Sequence, residues 1–531
     1  MRYGILIIAA FLMLSCTQRE AETFVILQTT DLHGVLGRDM SGLAGYIKTQ
    51  QDNYGKNLIL LDGGDNFQGT PEVFFANYVD TVNAHIYSEI FNWLSYTAIT
   101  PGNHDIEAGR KVFDKVYSEI QADVICANAV VENTGKPYFK PYAVYNRNGW
   151  KIAVMGILTP FATEWIPENL RGGILIDNPE RAAIYWTRKI YEEENPDVLI
   201  GLFHTGWGDP FTRDTSESAS SIGAWIARNV PGFHLICCGH VHDAKTDYLI
   251  NVKGDTVHMV EAGARASHIG RAEIHVEPLS GGKPRVSVST ELIASRELPP
   301  YYPYEKKIAP FLAREEKYNS QEFCFLEIPV YSREALYGPS AWIDEIHKVQ
   351  LAYVNSGTAS DVGASVSIVA PAARNLMIEA GPLQMKDFIT ALPYENTLSV
   401  VRMTGFEIIR FLEYAYALRI DNPRGPAYNF DSAAGIIYNV RKNKPVGSRI
   451  EVLSMADGSI FIPSEQYHVV MSTFRARGGG GHMTVGVGLS AEELPGRILW
   501  VSEKDVRTIF REYLTSRSPV MPRPMDHWRY L

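Results

Sequence analysis

The chain has 531 residues, 46% of them hydrophobic and 21% charged, which is the balance of a globular protein long enough for two or three separate cores. Its formal net charge is -10 and it has no lysine-rich or arginine-rich run, which excludes a broad electrostatic grip on a nucleic-acid polymer. A small anionic ligand held by a few placed cations remains compatible with that charge.

In chain order, the first element is an address. Arg2 precedes the apolar run Ile5 to Leu14, too short to span a bilayer and matching the apolar part of a secretory signal. The run ends at Leu14-Ser15-Cys16, which resembles a bacterial lipobox, with the plain signal peptide as the alternative. Either implies export to the bacterial cell envelope or periplasm, with Cys16 as the lipid anchor and the only membrane attachment in the first case. Cys126, Cys237, Cys238 and Cys324 are expected as buried small hydrophobes without a structural disulfide, with the two adjacent ones on opposite faces of a strand.

A repeated device follows. The β-rich runs Phe24 to Leu27, Leu58 to Leu61, Tyr96 to Ile99, Val198 to Phe203 and Leu235 to Cys238 lead into "TDLHG", "DGGD", "TPGNHDIE", "HTG" and "GHVH". Continuous apolar runs suit strands covered on both faces. Helices are expected over Val73 to Trp93, Gly109 to Ile120, Pro179 to Glu194 and Ser216 to Arg228, giving an α/β sandwich. Ligands in such folds sit outside the carboxyl ends of the strands, so the polar turns should meet at one rim.

Those turns carry Asp31, His33, Asp65, Asn103, His204, His240 and His242. Carboxylates, an amide and imidazoles together suit Zn, Mn or Fe rather than Ca, which takes oxygen alone. Seven groups exceed one tetrahedral centre and fit two divalent ions about 3.5 to 4 Å apart. His85, His234, His258 and His268 have no such setting and are read as structural.

"DLHG", "GDNFQGTP", "GNHD", "FHTG" and "GHVH" in this order resemble the metallophosphoesterase domain of the 5'-nucleotidase and 2',3'-cyclic-nucleotide phosphodiesterase family, over roughly residues 23 to 280. The resemblance implies a four-layer α/β sandwich joined to an α+β substrate-binding domain. It implies one metal held by Asp31, His33, Asp65 and His242, and a second by Asp65, Asn103, His204 and His240. His104 would face the phosphate, oriented by Glu107 or Asp105, with Glu107 favoured. The implied activity is that of a metal-dependent phosphoric ester hydrolase, a 5'-nucleotidase or a 2',3'-cyclic-nucleotide phosphodiesterase/3'-nucleotidase, by direct attack of a metal-bridging hydroxide. Nucleotide sugars, other phosphate esters and sulfur-linked esters are the alternative substrates, and a surface binding protein is the non-enzyme alternative.

After Pro299 to Pro303, residues 304 to 318 read as a connecting helix, and the character changes beyond about residue 326. The expected division is 1–22 signal and tether, 23–295 catalytic domain, 296–325 linker helix and 326–531 nucleotide-binding domain. Ala456-Asp-Gly458 is expected as a hairpin turn.

"LPYENTLSVVRMTGFEI", "YNFDSAAGIIYNV" and "MSTFRARGGGGHM" resemble the family's substrate-binding domain and lean toward its cyclic-nucleotide branch, in which two aromatic rings clamp the base. Phe474 is expected as one ring, with Tyr428 or Phe430 as the other. Arg374, Arg475 and Arg477 are candidates for phosphate or ribose, and Asn396 and Gly479 join the pocket. Where nucleotidases carry a Gly-Gly-Ile-Arg-like phosphate motif, this chain has "VAPAARNLM". The expected partner is a nucleotide or other small phosphate ester, and the expected assembly a monomer or dimer.

Overall fold

The computed structural model describes residues 19–531 apart from 160–161, 167, 213–220, 281, 357–358, 360 and 395. The signal segment with Cys16 and the start of the expected helix from Ser216 lie outside the described residues; that helix is seen over Gly223–Asn229.

Two six-stranded sheets build the first half. One runs in the order Arg285–Ala294, His268–Glu277, Glu22–Thr29, Leu58–Asp62, Ala98–Ile99, Asp123–Val124. The other runs Ala244–Ile250, Thr256–Ala262, Leu235–Cys238, Val198–His204, Trp150–Leu158, Tyr142–Arg147. The inner strands are parallel, pairing Glu22–Thr29 with Leu58–Asp62 and Val198–His204 with both its neighbours, so their carboxyl ends share a direction.

Strand alternation sorts the apolar residues into layers. Phe24, Ile26, Ile59, Leu61, Ile200 and Cys237 fill the space between the sheets. Val25 and Leu27 point instead to the helices Arg38–Tyr54 and Ile86–Leu94, and Cys238 points to the helix Gly223–Asn229. The two neighbouring cysteines thus lie on opposite faces, and the four described cysteines are free and buried. Helix, sheet, sheet and helix give the four layers expected. Each large aliphatic side chain buried there contributes about 1.5–3 kcal/mol.

The helix expected over Val73 to Trp93 is two helices, Pro71–Tyr78 and Ile86–Leu94. His85 ends the break: its Nδ1 accepts from Tyr87 N at 3.2 Å, capping the second helix, and its Nε2 lies 3.0 Å from Asn77 Oδ1.

The helix Tyr302–Asn319 follows the sandwich and buries Tyr304, Ile308 and Phe311 against its first helical layer. Beyond it lies a mixed five-stranded sheet, ordered Ser432–Ala434, Val366–Val369, Gln466–Ser472, Thr397–Thr404, Ile498–Asp505. A three-stranded sheet joins Ile450–Met455, Ile436–Val440 and Trp528–Tyr530. The turn at Ala456-Asp-Gly458 forms, with Gly458 in the left-handed region at φ 84°. It is not a hairpin: the strand before it pairs with Ile436–Val440, whereas Gln466–Ser472 joins the larger sheet.

Candidate active site

All seven residues expected as metal ligands meet at the rim where the parallel strands end. Asp31 N donates to Gly64 O at 2.8 Å and His33 N to Asp65 O at 2.9 Å, so the first two polar turns are tied directly together. Asp31, Asp65 and His204 are fully buried, while His242 is half exposed at the edge.

The backbone there is strained. Asp31, His33, Asp65, His240 and His242 all take left-handed φ values, between 48° and 83°. Each such non-glycine residue costs of order 1–3 kcal/mol, and that strain persists where surrounding structure over-determines it, typically at functional sites. Gly102 is needed for a different reason: a Cβ there would lie 2.0 Å from Asp65 Oδ1.

Two clusters result. In one, His242 Nε2 lies 3.4 Å and His33 Nε2 3.9 Å from Asp31 Oδ1, and the two imidazole nitrogens are 2.9 Å apart. In the other, His204 Nε2 is 3.1 Å from Asp65 Oδ2 and 3.2 Å from Asn103 Oδ1, and its ring centroid is 5.2 Å from that of His240.

Tautomers follow from the outer contacts. His33 Nδ1 donates to Gln68 O at 3.1 Å and His204 Nδ1 to Gly63 O at 2.7 Å, which turns each Nε2 lone pair inward. Burial pushes His33 down to about 4 and His240 to about 3. Burial opposes protonation of His204 too, yet the Asp65 carboxylate raises it to about 10. Burial alone would raise Asp31 and Asp65, but neighbouring imidazoles hold both below the usual carboxylate range. The proton that the Asp65 carboxylate holds on His204 Nε2 marks a position that a cation can take instead, and imidazoles turned inward around two buried anionic carboxylates are the donor set that divalent ions take.

His104 stands beside these clusters, its ring centroid 5.5 Å from that of His33. Its backbone N donates to Asp65 Oδ1 at 2.8 Å, and its Nδ1 donates to Glu107 Oε2 at 2.7 Å. Burial would lower the His104 pKa, but Asp65 and the Glu107 contact raise it to about 9. Asp105 does not reach the imidazole. Its carboxylate accepts from the backbone N–H groups of Asp65, Asn66, Phe67 and Gly102 and from Tyr117 Oη, at 2.7–3.1 Å. It braces the turn that carries Asp65, which corrects its placement as a candidate catalytic group.

Two model matches settle the kinship. The description "Calcineurin-like phosphoesterase" matches residues 24–244, and "5'-nucleotidase, C-terminal domain" matches residues 329–486. The chain belongs to the 5'-nucleotidase family of two-domain metallophosphoesterases. Among curated relatives, the chain is 24% identical over 89% of its length to the "Trifunctional nucleotide phosphoesterase protein YfkN" of Bacillus subtilis, of which it spans 36%. It is 22% identical to the "2',3'-cyclic-nucleotide 2'-phosphodiesterase/3'-nucleotidase" of Salmonella typhimurium, covering 86% of this chain and 81% of the relative. Among solved structures, the 5'-nucleotidase precursor of Thermus thermophilus superposes with a TM-score of 0.65 at 20% identity, over 96% of this chain and 99% of that one. The family is one of metal-dependent phosphoester hydrolases, and this chain is an enzyme of that class. Divalent metal ions belong to the family's chemistry, and the clusters around Asp31 and Asp65 are the ligand groups available for them at the rim.

The expected substrate pocket fares differently. Phe430 is 2% exposed, with the guanidinium groups of Arg374 and Arg419 over its ring at 5.5 and 5.9 Å, so it cannot stack on a base. Arg475 is buried and pairs with Asp431 at 2.9 Å while also donating to the carbonyls of Gly479 and Tyr428. Arg374 donates to the carbonyls of Pro423, at 2.8 Å, and Gly425. These three are held by the domain's own packing, which corrects their placement as ligand contacts.

Tyr428 is 41% exposed and meets Tyr394 edge-on at 6.4 Å. Phe474 is partly buried, with Gly479 so close to one face that a Cβ there would lie 2.5 Å from the ring. Arg477 is half-buried and its Nε has no partner among the described residues. Asn396 is partly exposed, its carbonyl accepting from Val506 N at 2.8 Å. Gln68 and Tyr394 were not singled out from the sequence. Gln68 accepts from His33 through its carbonyl and lies 3.4 Å from Glu107 through its amide, and "GDNFQGTP" carried that signal. Tyr394 sits within electrostatic range of Glu107 and Arg265, and "LPYENTLSVVRMTGFEI" carried that signal.

Proposed function

We propose that the chain is an exported hydrolase that releases phosphate from nucleotides, with 5'-, 3'- and 2',3'-cyclic nucleotides as the substrate class. The observation that carries this reading is the convergence of both ligand clusters on a histidine–carboxylate pair, His104 and Glu107, at the rim. Asp31, His33, Asp65 and His242 would hold one divalent ion, and Asp65, Asn103, His204 and His240 the other, with Zn, Mn and Fe the ions suited to these donors. When bound, such a pair of ions activates water at neutral pH and takes up negative charge on phosphoryl oxygens.

His104 does the remaining work in this reading. Glu107 accepts from its Nδ1, so Nε2 carries the proton that faces the substrate. That N–H donates to a phosphoryl or leaving oxygen as charge develops there, an interaction worth about 2.7–4 kcal/mol of barrier. Tyr428 and Phe474 offer the aromatic surface for the base, and Arg477, whose Nε has no hydrogen-bond partner among the described residues, has capacity for an anionic group. Stacking is worth roughly 1–3 kcal/mol and tolerates any base, so broad nucleotide use is expected. Export and lipid attachment at Cys16 rest on the signal-like N-terminus.

Purified protein supplied with Mn or Zn is expected to release phosphate from nucleotides, and comparing rates across the 5', 3' and 2',3'-cyclic isomers assigns the branch. Absence of metal-dependent turnover on all three would overturn the reading.

A further inference from the structure

A third group of metal-competent side chains lies away from the rim, inside the domain that follows the linker helix. Asp344 and His347 are three residues apart on the helix Ala341–Val354 and therefore share a face. His527 comes from the chain's end, just before the strand Trp528–Tyr530. Their relative exposures are 1%, 0% and 3%, and one ligand atom from each lies within 4.8 Å of the others.

The hydrogen bonds around the group decide where its lone pairs point. His527 Nδ1 donates to the Met525 carbonyl at 2.9 Å, so its Nε2 is the bare nitrogen. That Nε2 is buried without a hydrogen-bond partner and lies 3.8 Å from Asp344 Oδ1. Asp344 Oδ2 is occupied, accepting from Met525 N at 2.7 Å. The Ser367 hydroxyl donates to Gln350 Oε1 at 2.9 Å and so accepts from His347 Nδ1, also at 2.9 Å. His347 Nε2 is then the second unprotonated nitrogen and accepts from the Ser432 hydroxyl at 3.2 Å, a contact that a cation would displace.

A carboxylate oxygen and an imidazole lone pair at 3.8 Å are too far apart for a direct hydrogen bond. Two ligands of one tetrahedral ion with bonds of about 2.0–2.2 Å stand roughly 3.3–3.6 Å apart, so the Asp344–His527 pair is close to that spacing, with the three ligand atoms all within 4.8 Å of one another. The outer contacts have the form found around metal-bound imidazoles, an Nδ1–H held by a carbonyl or hydroxyl oxygen. Two imidazoles and one carboxylate favour zinc or a similar borderline ion over Mg or Ca.

We propose that Asp344, His347 and His527 form a structural zinc-type site, separate from the catalytic clusters, that fastens the C-terminal strand to the helix Ala341–Val354. The strand Trp528–Tyr530 pairs in parallel with Ile436–Val440, so the site would tie that strand to the five-stranded sheet that carries Ser367 and Ser432.

Full-length protein is loaded with ZnCl2, desalted and crystallised, and anomalous difference maps are taken above and below the zinc edge. A peak among Asp344, His347 and His527 is the expected result. Water or a direct Asp344–His527 hydrogen bond without anomalous signal there would overturn the proposal, and this measurement needs no variant to fold. In solution, D65N/H527Q protein should bind one zinc per chain fewer than D65N protein, and its Tm should rise less with zinc than that of D65N. Equal zinc content in the two proteins would count against the site.

Discussion

The rim of the sandwich and the pocket of the second domain were both expected from short motifs, yet only the rim assembles as expected. Seven of seven candidate ligands converge at the rim, whereas Phe430, Arg374 and Arg475 are taken up by the second domain's own packing. The difference lies in what each residue type can do without a ligand. Imidazole, carboxylate and amide groups crowded on strained turns have no packing reason to be there. An arginine or phenylalanine satisfies a core equally well, stacking on rings or holding carbonyls.

The largest expected effects test the rim. Asp65→Asn weakens the side chain that contacts both His204 and His104, and should lower phosphate release by about a thousandfold or more. His104→Ala should cost roughly 10²–10³ in kcat with KM little altered. Asp105→Asn separates bracing from catalysis: it leaves backbone donors facing an amide, and should lower Tm as well as rate, at about 1–3 kcal/mol for each donor stranded.

The second domain should respond in the opposite way. Arg475→Ala leaves Asp431 as a buried charge and should cost about 3–5 kcal/mol in denaturant unfolding, as should Phe430→Ala by cavity formation. Tyr428→Ala should leave stability unchanged and raise KM by roughly 5- to 150-fold, corresponding to about 1–3 kcal/mol of stacking. A Tyr428→Ala enzyme with unchanged KM would remove the aromatic contrast between the two rings.

The smallest effect is in acid. Burial would raise the Asp431 carboxyl, but Arg475 and His482 beside it hold it down to about 2. A carboxylate depressed in the folded state stabilises above its unfolded value and loses that contribution as pH falls through the folded one. Unfolding free energy should therefore drop by about 2 kcal/mol between pH 4 and 2. Following the acid slope by chemical denaturation, Asp431→Asn should flatten it.

Much of the sandwich was legible because five of its strands are short continuous apolar runs that end in glycine-bearing polar turns, whereas the inner strand Trp150–Leu158 has no such turn after it. The break between Pro71–Tyr78 and Ile86–Leu94 was not, since a buried histidine capping a helix looks in sequence like any other residue of an amphipathic run. Nor was the fate of the strand after Gly458, because turn chemistry specifies a reversal and not the partner that the next strand will find.

"TPGNHDIE" divides along the same line. Its residue types and its place after a strand are properties of the chain, and they pointed to Asn103 as a ligand, while the family resemblance supplied the role expected of His104. Which carboxylate holds His104 is a matter of direction on a single helical turn. Glu107, three residues on, lies on the imidazole's side, while Asp105 points back to the backbone N–H groups of the Asp65 turn. Local spacing carries the first kind of information. The second exists only once the turns, distant in sequence, are packed against one another and every buried donor has found its acceptor.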